Sequence, residues 1–147
     1  MRADLARSTD AFGRLAVVLF RLSQSAPGPL GTLVSVALRI FCGVELPRSV
    51  EVGPGLRLAH GGRGTVVHYA ARLGSGVILY HGVTIGVAQG DQPPPVIEDD
   101  VYLGAGCCVL GPVTVGRGAT IGANAVVIRD VSPGVTAVGV PARALRR

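Results

Sequence analysis

The chain has 147 residues, enough for one domain with a buried core, and its 22 glycines and 10 prolines make it rich in turns. Tryptophan is absent and aromatic residues are only 4% of the chain, so the core is aliphatic and narrow. The net charge of +5 admits an anionic partner, but there is no basic helix and no aromatic stacking set, which points away from nucleic acid and toward a small phosphorylated molecule.

Residues 1–44 form the first segment. Ala11–Leu22 and Leu30–Phe41 read as two apolar helices with isolated arginines, separated by a break containing Pro27, Gly28 and Pro29. A helical hairpin that caps the structure following it is the favoured reading, and an interfacial membrane helix is the alternative. No run reaches the roughly 18 apolar residues of a membrane span. The N-terminus lacks the basic-then-apolar order of a signal peptide, so a cytoplasmic protein is expected.

From about Glu45 a six-residue repeat takes over. It is clearest as IEDDVY, LGAGCC, VLGPVT, VGRGAT, IGANAV and VIRDVS over residues 97–132. Each hexad opens on an aliphatic residue, and four residues later comes a small or β-branched one. A period of six suits neither a helix nor an alternating strand. It predicts a solenoid of short strands and tight corners, about 18 residues per three-sided coil and four to five coils in all. The glycines at a fixed hexad position (Gly53, Gly74, Gly86, Gly104, Gly116 and Gly122) are expected at the corners. The register breaks twice. Leu58 and Val67 are nine apart, an insertion of three residues, and GVAQGDQPPPV carries Asp91 where an aliphatic residue is due, so that segment should loop out of the wall.

His60 and His81 are 21 residues apart, one coil plus that insertion, and should therefore stack on adjacent coils about 5 Å apart. The three histidines, His60, His68 and His81, have spacings of eight and thirteen, which do not fit a metal site, and none is expected. Cys42, Cys107 and Cys108 form neither a disulfide framework nor a CxxC pair. Cys107 falls in an inward slot and reads as a small hydrophobe.

The run GLRLAHGGRGTVVHYAARLGSGVILYHGVTIG, followed by PVIEDDVYLGAGCCVLGPVTVGRGATIGANAVVIRDVSPGVTAVGVPARAL, resembles the serine acetyltransferase branch of the hexapeptide-repeat acyltransferases. The resemblance covers residues 45–145. It implies a left-handed parallel β-helix of hexapeptide repeats over residues 45–147, which with the helical hairpin cap read from residues 1–44 makes a mainly β fold; the family's long N-terminal helical domain has only these 44 residues in its place. It also implies a homotrimer with acetyl-CoA bound between neighbouring subunits. His60 falls on the family's general base, and Glu45, fifteen residues upstream, on the carboxylate that orients it, where an Asp is usual. An imidazole titrates near neutrality, so it can take the proton of an attacking hydroxyl without a metal. Backbone N–H groups near Gly86 and Val87 match an oxyanion site. Gly104, Ala105 and Ala123 match the wall along which pantetheine runs, although each also serves as a corner or core residue. Arg143 matches a phosphate contact, and Arg146 and Arg147 add to that basic end.

The chain departs from the family where serine is recognised. Ala59 stands in place of an acid before the base, and Gln92, Pro93 and Pro94 occupy the loop that should carry an Arg-His pair. His81, where Gln is common, then becomes with Gln92 an acceptor-side residue. The expectation is an acetyl-CoA-dependent O-acetyltransferase acting on a sugar, polysaccharide or small-metabolite hydroxyl. Serine O-acetylation for cysteine synthesis and a non-catalytic trimeric scaffold are the alternatives.

Overall fold

The computed structural model describes residues 1–7 and 10–145. A short helix α1 (Arg2–Arg7), not expected from the sequence, precedes α2 (Ala11–Ser25) and α3 (Gly28–Ala37). Asp10 caps α2 by accepting from the Gly13 N–H. The helix runs past the expected end at Leu22 to Ser25, where the Ala26 N–H closes on the Leu22 carbonyl and Ala26 turns extended before Pro27. Pro27 and Pro29 start α3 instead of merely breaking the chain, since proline is pre-set for a first helical turn. A wider π-helical turn, Leu38–Cys42, extends α3 to Gly43, whose φ of 65° ends it.

The coils follow. The first holds β1 (Glu51–Val52) and β2 (Arg57–Leu58), and the second β3 (Val66–Val67), β4 (Arg72–Leu73) and β5 (Ile78–Leu79). The third holds β6 (Thr84–Gly86), β7 (Val96–Ile97) and β8 (Tyr102–Leu103). The fourth holds β9 (Cys108–Leu110), β10 (Thr114–Val115) and β11 (Thr120–Ile121). The last has β12 (Val126–Val127) and β13 (Thr136–Val138), and β14 (Arg143–Ala144) turns back antiparallel to β13. Three sheets result: β1-β4-β7-β10, β2-β5-β8-β11-β13-β14 and β3-β6-β9-β12, parallel apart from the final strand. This is the left-handed β-helix of hexapeptide repeats.

The hexad openers fill the axis: Leu58, Leu79, Leu103 and Ile121 are fully buried in one column, with Cys107, Ala119 and Ala125 in the small slots between columns. Burial pushes the Cys107 thiol up to about 12, so it behaves as an inert small hydrophobe. The fixed-position glycines have a different cause from the one expected. None of the six has a positive φ. A Cβ on Gly104 would lie 2.8 Å from the backbone N of Ala123 and 2.8 Å from the O of Ile121, so close stacking of coils, not corner geometry, demands glycine there. Gly86 differs from the rest: nothing lies within 4 Å of a Cβ placed on it.

At the first coil, Ala16, Val17 and Phe20 of α2 join the core. Arg21 donates to the carbonyls of Val52 and Gly53, and Gln24 to that of Val50. The buried Asp4 accepts from Arg21 and from the Leu56 N–H at 2.9 Å, tying α1, α2 and the first coil together. Among the described residues no helix is long and apolar enough to cross a membrane.

Candidate functional site

The 21-residue spacing is realised as strand pairing, Leu58 opposite Leu79, with the extra residues in the turn Ala59–Gly62. His60 sits there with φ 54° and ψ 34°, a left-handed conformation that few non-glycine residues adopt, followed by Gly61 and Gly62 with positive φ. The turn is braced from outside: Phe12 at the start of α2 lies against Gly61. His60 is therefore exposed at a corner while the residues around it are buried.

Leu79 pairs with Leu103, and Leu103 with Ile121. Two residues beyond each comes a single column: His60, His81, Ala105 and Ala123. The rings of His60 and His81 are 5.6 Å apart, edge to face. The carbonyl of His81 accepts from the Gly106 N–H, and that of Ala105 from the Asn124 N–H, so the column is bonded coil to coil. Four of the expected site residues thus share one edge of the prism, and Gly104 adjoins it.

The structure adds two side chains that the sequence reading missed. Tyr80 lies 5.5 Å from His60 and 5.1 Å from Tyr102, ring to ring. Hydrogen bonding with the Tyr80 hydroxyl, and then burial, push the Tyr102 phenol up to about 12. The available signal was the register itself, which sets Tyr102 opposite Ile78, two residues before Tyr80.

Other expected residues lie elsewhere in the chain. Glu45 pairs its backbone with Val66, but its carboxylate sits 3.4 Å from Arg39, and among the described residues no hydrogen bond joins it to His60. The π-helical turn after α3 is what brings Arg39 within reach. Gln92 is carried by the loop between β6 and β7 and lies over Gly111, on a different edge from His60. That loop holds six extra residues, one whole hexad, because Leu73 pairs with Ile97 where a regular coil would be six shorter. Gly86 and Val87 stand at its start. Arg143 is exposed on β14, donating to the Ala142 carbonyl, and Arg146 and Arg147 lie outside the described residues. Among the described residues no three His, Cys, Asp or Glu side chains converge as a metal site would require.

Residues 94–129 match the family model for the bacterial transferase hexapeptide (six repeats). The chain is 38% identical over 112 residues to a serine acetyltransferase of Bacillus licheniformis, covering 75% of this chain and 51% of the relative. It is 38% identical over 117 residues to one from Helicobacter pylori, covering 78% and 67%. Among solved structures it superposes on the Neisseria gonorrhoeae serine acetyltransferase in complex with serine, with TM-score 0.81, 34% identity and 90% of this chain and 56% of that one covered. A serine acetyltransferase in complex with CoA gives TM-score 0.83 at 29% identity, covering 93% and 58%. The chain spans about half the length of the first curated relatives it matches. With its repeat, its coil architecture and these likenesses together, the chain belongs to the serine acetyltransferase family of hexapeptide-repeat proteins.

Proposed function

We propose that this chain moves the acetyl group of acetyl-CoA to a hydroxyl oxygen, with serine as acceptor and His60 as general base. The observation that carries the reading is the His60–His81–Ala105–Ala123 column: an exposed imidazole heads an edge on which His81 follows and the next two coils carry only Ala105 and Ala123, so a thin ligand can lie against main chain there. Arg143 stands five strand steps from β2, roughly 24 Å along the same sheet, where it can meet phosphate groups while the thioester reaches His60. Gly86, with open space where its Cβ would be, and Val87 lie on the edge of the β6–β7 loop and not on that of His60, so they would offer main chain to the acetyl carbonyl at the column of a neighbouring subunit.

The chemistry then balances simply. His60 takes the acceptor's hydroxyl proton as the oxygen bonds to the acetyl carbon. The carbon–sulfur bond breaks, and the imidazolium returns the proton to the departing sulfur. His81 and Tyr80 flank the imidazole and are placed to hold the acceptor. Glu45 can orient His60 only if its carboxylate leaves Arg39. Gln92 lies on a different edge from His60, so a homotrimer that sets one subunit's loop against the next subunit's column would complete the site. A cytoplasmic setting fits this chemistry.

The family's members favour serine over the sugar or metabolite hydroxyl expected from the sequence. One observation keeps a second acceptor in view: Ala59 and the Gln92-Pro93-Pro94 loop lack the acid and the Arg-His pair of the serine pattern. Release of free CoA, measured with serine and with a panel of sugars and hydroxylated metabolites, decides. Turnover confined to serine supports the first reading. Turnover confined to another hydroxyl replaces it.

A further inference from the structure

The three-residue insertion places two side chains, not one, at the head of the His60 edge. Counted forward from Leu58, the position that carries His81, Ala105 and Ala123 in later coils falls on His60. Counted back from Val67, which pairs with Ile85, it falls on Arg63. The main chain follows the second count. The Gly82 N–H donates to the Arg63 carbonyl at 2.8 Å, as the Gly106 N–H does to that of His81 and the Asn124 N–H to that of Ala105. Gly61 and Gly62 alone separate the imidazole from the guanidinium, and His60, Gly61 and Gly62 all have positive φ. The turn is therefore tightly wound, and one small molecule can touch both side chains.

Arg63 is exposed, and its charge is not neutralised within the chain. Arg21, Arg39, Arg72 and Arg117 each face a carboxylate, whereas among the described residues no ion pair involves Arg63. The side chain is nonetheless held in place. Its guanidinium lies 5.9 Å from the centroid of the Phe12 ring, and its Nε 4.0 Å from where a Cβ on Gly43 would stand. A guanidinium over a ring keeps its in-plane N–H groups turned outward, in the fork that matches a carboxylate. Helix α2 thus presents an oriented cation beside the base. The acetyl-CoA thread, running past Ala123 and Ala105, reaches His60 from the later coils, which leaves the side of α2 and Arg63 for the acceptor.

We propose that Arg63 is an acceptor-binding residue that takes the carboxylate of a hydroxyl amino acid while His60 receives the hydroxyl proton. The inference rests on acetyl transfer with His60 as base and adds what selects the acceptor. Serine bears its carboxylate and its hydroxymethyl group on the same carbon, a span that one short turn can serve. The β6–β7 loop offers no cation for this role, since its charged residue is Asp91 beside Gln92, Pro93 and Pro94. Arg63 supplies the charge from the other break in the repeat.

The test measures CoA release by the full chain with serine and with 2-aminoethanol, which keeps the hydroxyl and the ammonium but has no carboxylate. Wild type, Arg63→Gln and His60→Ala are compared, and calorimetric binding of CoA checks that each variant is folded. In Arg63→Gln the KM for serine is expected to rise about thirtyfold, the scale of a lost charge-assisted hydrogen bond, with the KM for acetyl-CoA within about twofold of wild type. Turnover of 2-aminoethanol, however slow, should be the same in wild type and Arg63→Gln. If Arg63 served only to brace Phe12, its loss would lower both acceptors together. The proposal is overturned by that equal loss, by an unchanged KM for serine, or by a wild type that acetylates only acceptors without an anionic group. Turnover that survives in His60→Ala overturns the general-base reading instead, a failure separate from that of the carboxylate contact.

Discussion

Two glycines at equivalent hexad positions should respond oppositely to the same substitution. At Gly104 an added methyl meets main-chain atoms of the next coil at 2.8 Å, and backbone cannot swing aside as a flexible side chain can. Gly104→Ala should cost about 2 kcal/mol, in the range of core overpacking, which for a chain of this size lowers the melting temperature by roughly 5 °C. At Gly86 the same methyl meets nothing within 4 Å, and the backbone there is not left-handed. Restricting the unfolded chain should make Gly86→Ala neutral or more stable, by up to about 1 kcal/mol. If acetyl-CoA passes over that open backbone, however, the methyl stands in its path and the KM for acetyl-CoA should rise about tenfold with little change in fold. Thermal denaturation and initial rates across acetyl-CoA concentrations measure the two effects. Equal destabilisation by both substitutions, or an unchanged KM in Gly86→Ala, would refute the assignment of Gly86 to the ligand.

Three further outcomes follow from the geometry. Burial by itself would raise the Asp4 carboxyl, but Arg21, the N-terminal ammonium and the Leu56 N–H outweigh it and hold the group below its ordinary value. Its stabilisation is then complete above the unfolded-state value of about 4 and fades as pH falls through the lower folded value. Asp4→Asn should cost about 3 kcal/mol in urea unfolding at pH 7, and that gap should narrow below about pH 4. Leu79→Ala opens a cavity in a fully buried column and should lose about 3 kcal/mol, read in the same titration. At pH 8 an alkylating reagent followed by mass spectrometry should modify the half-buried Cys108 and spare Cys42 and Cys107, whose thiols burial pushes up, until denaturant is added.

The repeat made the coils legible because each hexad opener must point at the axis, and a single slip would turn a polar residue inward. The same arithmetic located His81 beside His60: a three-residue insertion adds to one coil and leaves the strands either side in register. The β6–β7 loop also kept count, since a whole extruded hexad preserves phase, but only the pairing of Leu73 with Ile97 shows how much chain leaves the wall. What the sequence hid were contacts across elements. Helix α1 has little pattern of its own and is fixed by Asp4 reaching Leu56. The partner of Glu45 depends on the π-helical turn that swings Arg39 toward it. Tyr80 and Tyr102 approach each other across neighbouring coils, which a reading by single hexads passes over. The fixed-position glycines were found by pattern and explained only by the proximity of the next coil.

The central claim is that His60 takes the acceptor's proton in acetyl transfer from acetyl-CoA. Calorimetric binding of CoA and turnover with serine, measured on wild type and His60→Ala, test it most directly. The account predicts that both proteins bind CoA with Kd values within about twofold of each other, while turnover in the variant falls about a thousandfold. A variant that binds CoA and still turns over at the wild-type rate would contradict it.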